Sequence, residues 1–599
     1  MPDHANWDLT SYFPTFNGPE YLAHVDALVA DIETMRGRAE ALGPISAESA
    51  PDWAGVLCLD ERILAAFSHL ASYVGCLAAA DVRNEGYKQA QSRLSTLGAA
   101  LTKAFVPIMA ALRAVDDESF AALEAQPDLA GARYYLGRLR EDAARTMDPE
   151  LERLAADLGV DGFSAWGRLY DEMSGRLEFD MNTGTGTRKV PMAQKRGLLE
   201  DPDPAIREQA LVNSNRAWQE VEYVTASCLN AIAGTRLTLY RYRGREDFLE
   251  KALFDAAVER ETVESMWKAV AGKRETAWRY LRKKAELLGK DRLGFQDLSC
   301  PIPRGGSKLY SWDEARNLVL DAFSGVYPRL GEFSRAMFDK LRVESEKRAG
   351  KQPGAFCTTS LQSRESRVFM TFGGGLGDVQ TLAHELGHAF HSSLLKEQRP
   401  FAARYPMTLA ETASTFAERT LQNAVLDAPS TPQGVKLQIL AARLNDAATF
   451  LCDIHMRYVF EKDFYAERKQ GEVSVSRLKE LMLSAQNHCF GDTLDQNERD
   501  PMFWASKLHF YITGVSFYNF PYTFGYLLSL VLAGSVRREG EAFLERYEEF
   551  LRLTGSDTAE GVARRALGAD IRESVFWEQA MEDIALDMER FEAELAHGA

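Results

Sequence analysis

His384-Glu385-Leu386-Gly387-His388 sits inside a segment, from about Val379 to Leu395, that is apolar nearly all round. Histidines at i and i+4 of a helix project from one face, close enough to share one ion through their ring nitrogens. The glutamate at i+1 is turned about 100° around the helix, so it addresses a water on that ion rather than the ion. Leu382, Ala383, Leu386, Ala389, Phe390 and Leu394 leave the histidines as the main polar content. A helix of that composition is buried, and buried polar groups must be paired or metal-bound. The stretch therefore predicts a buried helix with His384 and His388 as metal ligands and Glu385 as general base, the arrangement of a zinc-dependent hydrolase.

A catalytic zinc ion usually takes three protein ligands and keeps a fourth position for water. His391 lies on the same face, but three ligands on one straight helix would spread over about ten ångströms of axis, too far for bonds of about 2 Å. His391 is therefore expected beside the ligands or in the cleft, not on the metal. A longer pattern with a third histidine also fails, because it needs Gly at 391 and His at 394, where the chain has His391 and Leu394. A carboxylate from a second helix is the remaining source. In the segment Met407–Val425, Glu411, Ser414, Thr415 and Glu418 share one face. Glu411 is assigned as third ligand and Glu418 as the carboxylate that orients a ligand histidine. The alternative is that both pair with arginines such as Arg404 or Arg419.

Upstream, Ala355–Thr359, a polar turn at Ser363–Ser366 and Val368–Phe372 read as a hairpin. The run Gly373-Gly374-Gly375-Leu376-Gly377 lacks the Lys-Ser/Thr of a P-loop and the dinucleotide-binding spacing. Its glycines are expected to keep a backbone edge open, with Asp378 as N-cap of the metal helix. A second hairpin is expected around the Gly/Thr-rich turn Asn182–Thr187. It marks a boundary between an N-terminal helical region, 1–195, and a catalytic region, 196–599. Apolar residues at three- and four-residue spacing predict long helices at Tyr21–Leu42, Asp60–Leu77, Tyr87–Ala111, Val258–Leu288 and Glu541–Leu553.

With 599 residues, 46% of them hydrophobic, the chain can bury a large core, and disorder is not expected. A net charge of −17 argues against a nucleic-acid partner, which would need a basic face. The seven scattered cysteines form no C-x-x-C pair and suit a reducing compartment. The start carries no basic and apolar leader, and the longest apolar run, near Tyr526–Val536, is too short to span a bilayer. A cytoplasmic protein with no membrane partner is expected.

His384–His388 followed by Glu411-x-x-Ser414-x-x-x-Glu418 resembles the thimet oligopeptidase and oligoendopeptidase F family of zinc metallopeptidases. The likeness extends to Trp7–Thr10, Ser363–Thr371, Thr381–Ala383, Trp504-Ala505, His509–Tyr511 and Phe517–Tyr526. It implies a mainly α, two-lobed fold with a deep substrate channel, a small β-sheet beside the zinc helix, and one Zn2+ per chain. Short unfolded peptides would be cut at internal bonds. A strand beside the site would bind the substrate backbone as an added strand, a role that suits 367–375 and in particular Phe372, Gly373 and Gly374. A late histidine and tyrosine would hydrogen-bond the tetrahedral intermediate; by position these are His509 and Tyr522, with Tyr526 and Tyr518 as further candidates. Pro521 stands where many relatives have Gln. Two other readings fit the motif: a zinc exopeptidase, and a non-catalytic peptide-binding scaffold.

Overall fold

The computed structural model describes residues 4–182, 186–303 and 308–597. Helices carry most of them; the strands form a two-stranded sheet, β1 (Glu178–Asn182) with β2 (Thr187–Pro191), and a three-stranded sheet of β3 (Val343–Glu344), β4 (Phe356–Ser360) and β5 (Glu365–Phe369). The helices follow their apolar stripes. In Pro19–Ala41, Val25, Leu28, Ile32, Met35 and Ala39 are buried at three- and four-residue intervals. The helix expected at Asp60 starts ten residues earlier, at Ala50, with Pro51 in its first turn where a missing N–H costs nothing. The segment expected as one helix over 258–288 is two, Arg260–Lys273 and Glu275–Leu287.

Two helices, Ala50–Ala80 and Glu85–Ala114, are long and apolar enough to cross a membrane, which a search for unbroken apolar runs overlooks. Half of the most apolar window in the first is buried inside the fold. Its Trp53, Val56, Leu57, Ile63, Leu70 and Val74 belong to the N-terminal core.

The chain gathers into two compact units, each assembled from three stretches. The first comprises Met1–Thr146, Ser307–Ala428 and Ser535–Ala569; the second comprises Met147–Gly306, Pro429–Gly534 and Asp570–Ala599. The units follow spatial contacts rather than chain order, so the expected division at residue 195 falls inside the second unit. The first unit holds the N-terminal helical core, the sheet β3-β5-β4, and the helices Leu376–Leu394 and Thr412–Asp427. In the second unit the β1–β2 hairpin packs Phe179, Met181 and Val190 against Ala210 and Ala217. The middle of its expected turn, Thr183-Gly184-Thr185, lies outside the described residues.

β5 is the central strand: β3 runs parallel to it on one side and β4 antiparallel on the other. The β4–β5 pairing runs from Phe356 opposite Phe369 to Ser360 opposite Glu365, so the turn is earlier than expected. Arg364, at φ +57°, closes it by donating its N–H to Ser360 O at 2.9 Å. A left-handed arginine carries no signature that composition reveals.

Candidate metal centre

The metal helix begins at Leu376, capped by Gly375, and Asp378 is its third residue rather than its N-cap. The Asp378 carboxylate accepts the N–H groups of Gly373 (2.9 Å) and Gly375 (3.1 Å), folding the glycine run back on the first turn. Gly374 sits at φ +90°, and a Cβ there would lie 3.0 Å from Tyr310 O. Its own carbonyl accepts from Tyr310 N at 2.8 Å, and Phe372 N donates to Ser345 O at 3.0 Å. These backbone groups of Phe372, Gly373 and Gly374 are thus committed within the fold, and β5 is paired on both sides. The edge strands of this sheet are β3 and β4, and β5, Glu365–Phe369, is internal.

Farther along the metal helix, Val379, Leu382, Ala383, Leu386, Ala389 and Phe390 are buried. Gly387, inside the motif, meets the helix Thr412–Asp427: an added Cβ would stand 2.5 Å from Ala413 O and 2.7 Å from Ser414 Cα. Those are backbone atoms of a packed helix, so a methyl group there must push the two helices apart. Gly387→Ala is therefore expected to weaken metal binding at least tenfold, because it displaces Glu411 from the histidines. A metal titration of the purified variant checks this; unchanged affinity would show that the helices move without disturbing the ligands.

The expected continuous helix over 407–425 breaks at Glu411, which ends the short helix Met407–Ala410 and caps Thr412–Asp427 with ψ near 1°. The break leaves the Glu411 carboxylate facing the motif. Its Oε2 is 3.4 Å from the Nε2 of both His384 and His388. The two Nε2 atoms are 3.1 Å apart. A point equidistant from these three atoms is about 1.9 Å from each, close to the bond lengths of about 2.0–2.2 Å of N and O ligands on a divalent metal. Ser414 Oγ donates to Glu411 Oε2 at 2.8 Å, and Glu418 Oε1 bonds His384 Nδ1, so the remaining nitrogen of that ring faces Glu411.

The electrostatics ask for positive charge at this point. Burial opposes ionisation of His384, but the carboxylates of Glu418, Glu411 and Glu385 override it and lift its pKa to about 9. Burial would raise Glu411; His388, His384 and the Ser414 hydroxyl instead hold it down to about 2. Glu385 is buried at 6% exposure, and burial raises its carboxyl above the usual range despite the neighbouring histidines. That is the direction a general base needs.

His384, Glu385, His388 and Glu411 line a cavity of about 840 Å³ in the first unit, whose wall includes Phe356–Ser360 of β4. Ser68 Oγ donates to Thr359 O (3.2 Å) on the side away from β5. By the alternation of an antiparallel strand, Cys357 turns its N–H and C=O to that same outer side. His391 is elsewhere. Its ring is fully buried, stacked on Tyr405 at 4.2 Å, with Nε2 near Leu551 O and the Thr554 hydroxyl, and burial lowers its pKa to about 3. It is a core histidine rather than a cleft residue, because the helix face beyond His388 turns into the packing.

The late aromatic segment belongs to the second unit. His509 lies 5.0 Å from the Tyr518 ring and 6.5 Å from Tyr522, and its Nδ1 bonds Asn519 Oδ1. Tyr526, one turn beyond Tyr522, is buried and stacked on Phe450 at 4.3 Å, so Tyr518 rather than Tyr526 accompanies the histidine. Arg236 Nη2 donates to the carbonyls of Ile512, Thr513 and Val515, and Glu461 accepts from Phe517 N at 2.8 Å. Burial lifts the Glu461 carboxyl to about 7, against the Phe517 bond and Arg236, which act to lower it. A raised folded-state pKa means a contribution that is complete below about 4.5 and lost as pH rises through about 7, at most about 3 kcal/mol. Glu461→Gln, neutral throughout, keeps it. Its thermal midpoint is expected to gain on the parent chain between pH 4.5 and 7 and to run parallel above; parallel curves throughout would refute the shift.

Residues 325–582 match the family model Peptidase family M3, and residues 112–179 match Oligopeptidase F. Oligopeptidase PepF of Bacillus subtilis is 21% identical over 62% of this chain and 55% of that protein. The plasmid-encoded oligoendopeptidase F of Lactococcus lactis subsp. cremoris is 22% identical over 97% of this chain and 96% of its own length. A crystal structure of a Chlamydophila abortus protein assigned as a peptidase superposes with a TM-score of 0.82 at 20% identity, covering 98% of this chain and 99% of that one.

Proposed function

This chain belongs to the oligoendopeptidase F family and is a metalloendopeptidase, and from that premise we propose that it uses zinc to hydrolyse internal bonds of short unfolded peptides. The observation that carries the reading is the triangle of His384 Nε2, His388 Nε2 and Glu411 Oε2, with edges of 3.1, 3.4 and 3.4 Å. Two imidazoles and a carboxylate form the donor set of a catalytic zinc site. A zinc ion there supplies Lewis acidity, polarising the scissile carbonyl and acidifying a water.

The rest falls to the chain's own side chains. Glu385 takes a proton from the attacking water at its carboxylate and delivers it to the leaving amide nitrogen, so C–O bond formation and C–N cleavage balance with one proton carried. Glu418 holds His384 through Nδ1. The outward N–H and C=O of Cys357 offer an extended peptide one pair of backbone hydrogen bonds as an added strand, which recognises backbone rather than sequence. His509 and Tyr522, with Tyr518, are the proposed donors to the developing oxyanion, a role carried by the family resemblance. All seven cysteines are unpaired thiols, which suits a reducing compartment such as the cytoplasm.

A quenched fluorogenic peptide, assayed with and without a chelator and after zinc is restored, tests the reading. Product masses should show internal cleavage. Activity indifferent to chelation, or loss of single terminal residues only, would overturn it.

A further inference from the structure

A second cluster of metal-binding donors lies in the second unit, on residues the peptidase reading does not use. One ligand atom from each of His455, His488 and Cys489 falls within 4.8 Å of the others. His455 lies in the first turn of the helix Ile454–Arg468, which follows directly on a π-helical turn at Thr449–Asp453. His488 and Cys489 end the neighbouring helix Val475–Phe490. No sequence motif joins residues so far apart; packing of the two helices does.

His455 is 5% exposed, yet its Nδ1 has no hydrogen-bond partner among the described residues. A buried ring nitrogen left without a partner is open to a ligand. The ring is held flat on Trp267, centroids 4.4 Å apart and planes 8° apart. Cys489 is fully buried beside it, while His488 is exposed and gives access from solvent. His455 and His488 line a cavity of about 320 Å³ whose wall also carries Glu264, Lys462 and Asp463. Arg274 and Lys462 oppose a divalent cation there; Glu264, Asp463 and the thiolate formed on binding offset them. Ligand atoms around tetrahedral zinc are about 3.3–3.6 Å apart, so closing the triangle asks for a shift of about 1 Å, within reach of the exposed His488 ring.

We propose that His455, His488 and Cys489 form a second metal site, for a thiophilic divalent ion such as Zn2+, that braces the helices Ile454–Arg468 and Val475–Phe490. Binding replaces the Cys489 S–H bond with a sulfur–metal bond and releases the proton to solvent.

Cobalt(II) titrated into the metal-free full chain under reducing conditions tests the site. The His384–His388–Glu411 site has no sulfur, so a near-ultraviolet thiolate-to-cobalt absorption band reports the second site alone. The expected result is two equivalents bound, with a band that survives Glu411→Ala. The band and one equivalent should disappear in His488→Ala, whose exposed position spares the fold, and in Cys489→Ser. A single equivalent without the band, or a band unchanged in His488→Ala, would overturn the proposal. Because the readout is optical and independent of peptide cleavage, its failure is distinct from failure of the peptidase reading.

Discussion

Glu385→Gln is expected to retain its metal and to lower kcat by at least about 10²–10⁴-fold, the range for loss of a positioned general base. The substitution is nearly isosteric, so the helix Leu376–Leu394, which buries Glu385 at 6% exposure, has no reason to move. Glutamine removes the one property the mechanism needs, a carboxylate able to accept a proton from water. The ligand triangle contains no Glu385 atom, so metal content should match the parent chain. KM should change little, because the β4 edge that is proposed to align the peptide is untouched and the lost interaction belongs to the transition state. Metal analysis and steady-state kinetics on the same preparation separate the possibilities. Full activity would eliminate Glu385 as base, and loss of metal would make it a ligand or a structural support.

The separate contributions of sequence and tertiary structure are visible at particular residues. The helices were legible because apolar residues recur with the helical period, as at Val25, Leu28, Ile32 and Met35. His384 and His388 were legible because one helix carries both at i and i+4, and Glu418 because it lies on the following helix; the break that makes Glu411 the cap of that helix was not legible in its spacing. The features that depend on contacts between distant segments were not. Asp378 caps the helix from its third position and not from the expected N-cap, because its carboxylate turns back to the N–H groups of Gly373 and Gly375. Composition does not tell which strand of the β4–β5 hairpin is internal; the parallel pairing with Val343–Glu344, twenty residues and more away, makes β5 internal and leaves β4 at an edge. Tyr526 and Tyr518 are both late aromatics, and only the Phe450 ring shows which one is packed away. Gly387 carries a signal in the sequence: a glycine in the middle of a buried helix costs about 1 kcal/mol against alanine, which points to close backbone contact.

Glu411→Ala is expected to lose the metal of the His384–His388–Glu411 site on dialysis, and its activity with it. Two histidines alone bind a divalent ion far more weakly than two histidines and a carboxylate, since charge neutralisation and the third bond both disappear. The position is unusually constrained. Glu411 Oε2 is 3.4 Å from both ring nitrogens, receives the Ser414 hydroxyl at 2.8 Å, and is ionised at any working pH because its neighbours hold it near 2. Alanine also withdraws one of the three carboxylates that lift His384 to about 9, leaving Glu418 and Glu385 to do so. Glu411→Gln separates charge from shape: it keeps the side-chain length and an oxygen for Ser414 but brings no negative charge. Excess metal should restore part of the activity in the glutamine variant and none in the alanine variant. Metal content near the parent value in Glu411→Ala would move the third ligand elsewhere. Glu418 is the next carboxylate in reach, and it would have to release His384 Nδ1 to serve. The double variant Glu411→Ala, Glu418→Gln would then lose what the single variant kept, whereas loss in Glu411→Ala alone assigns Glu418 to holding the ring.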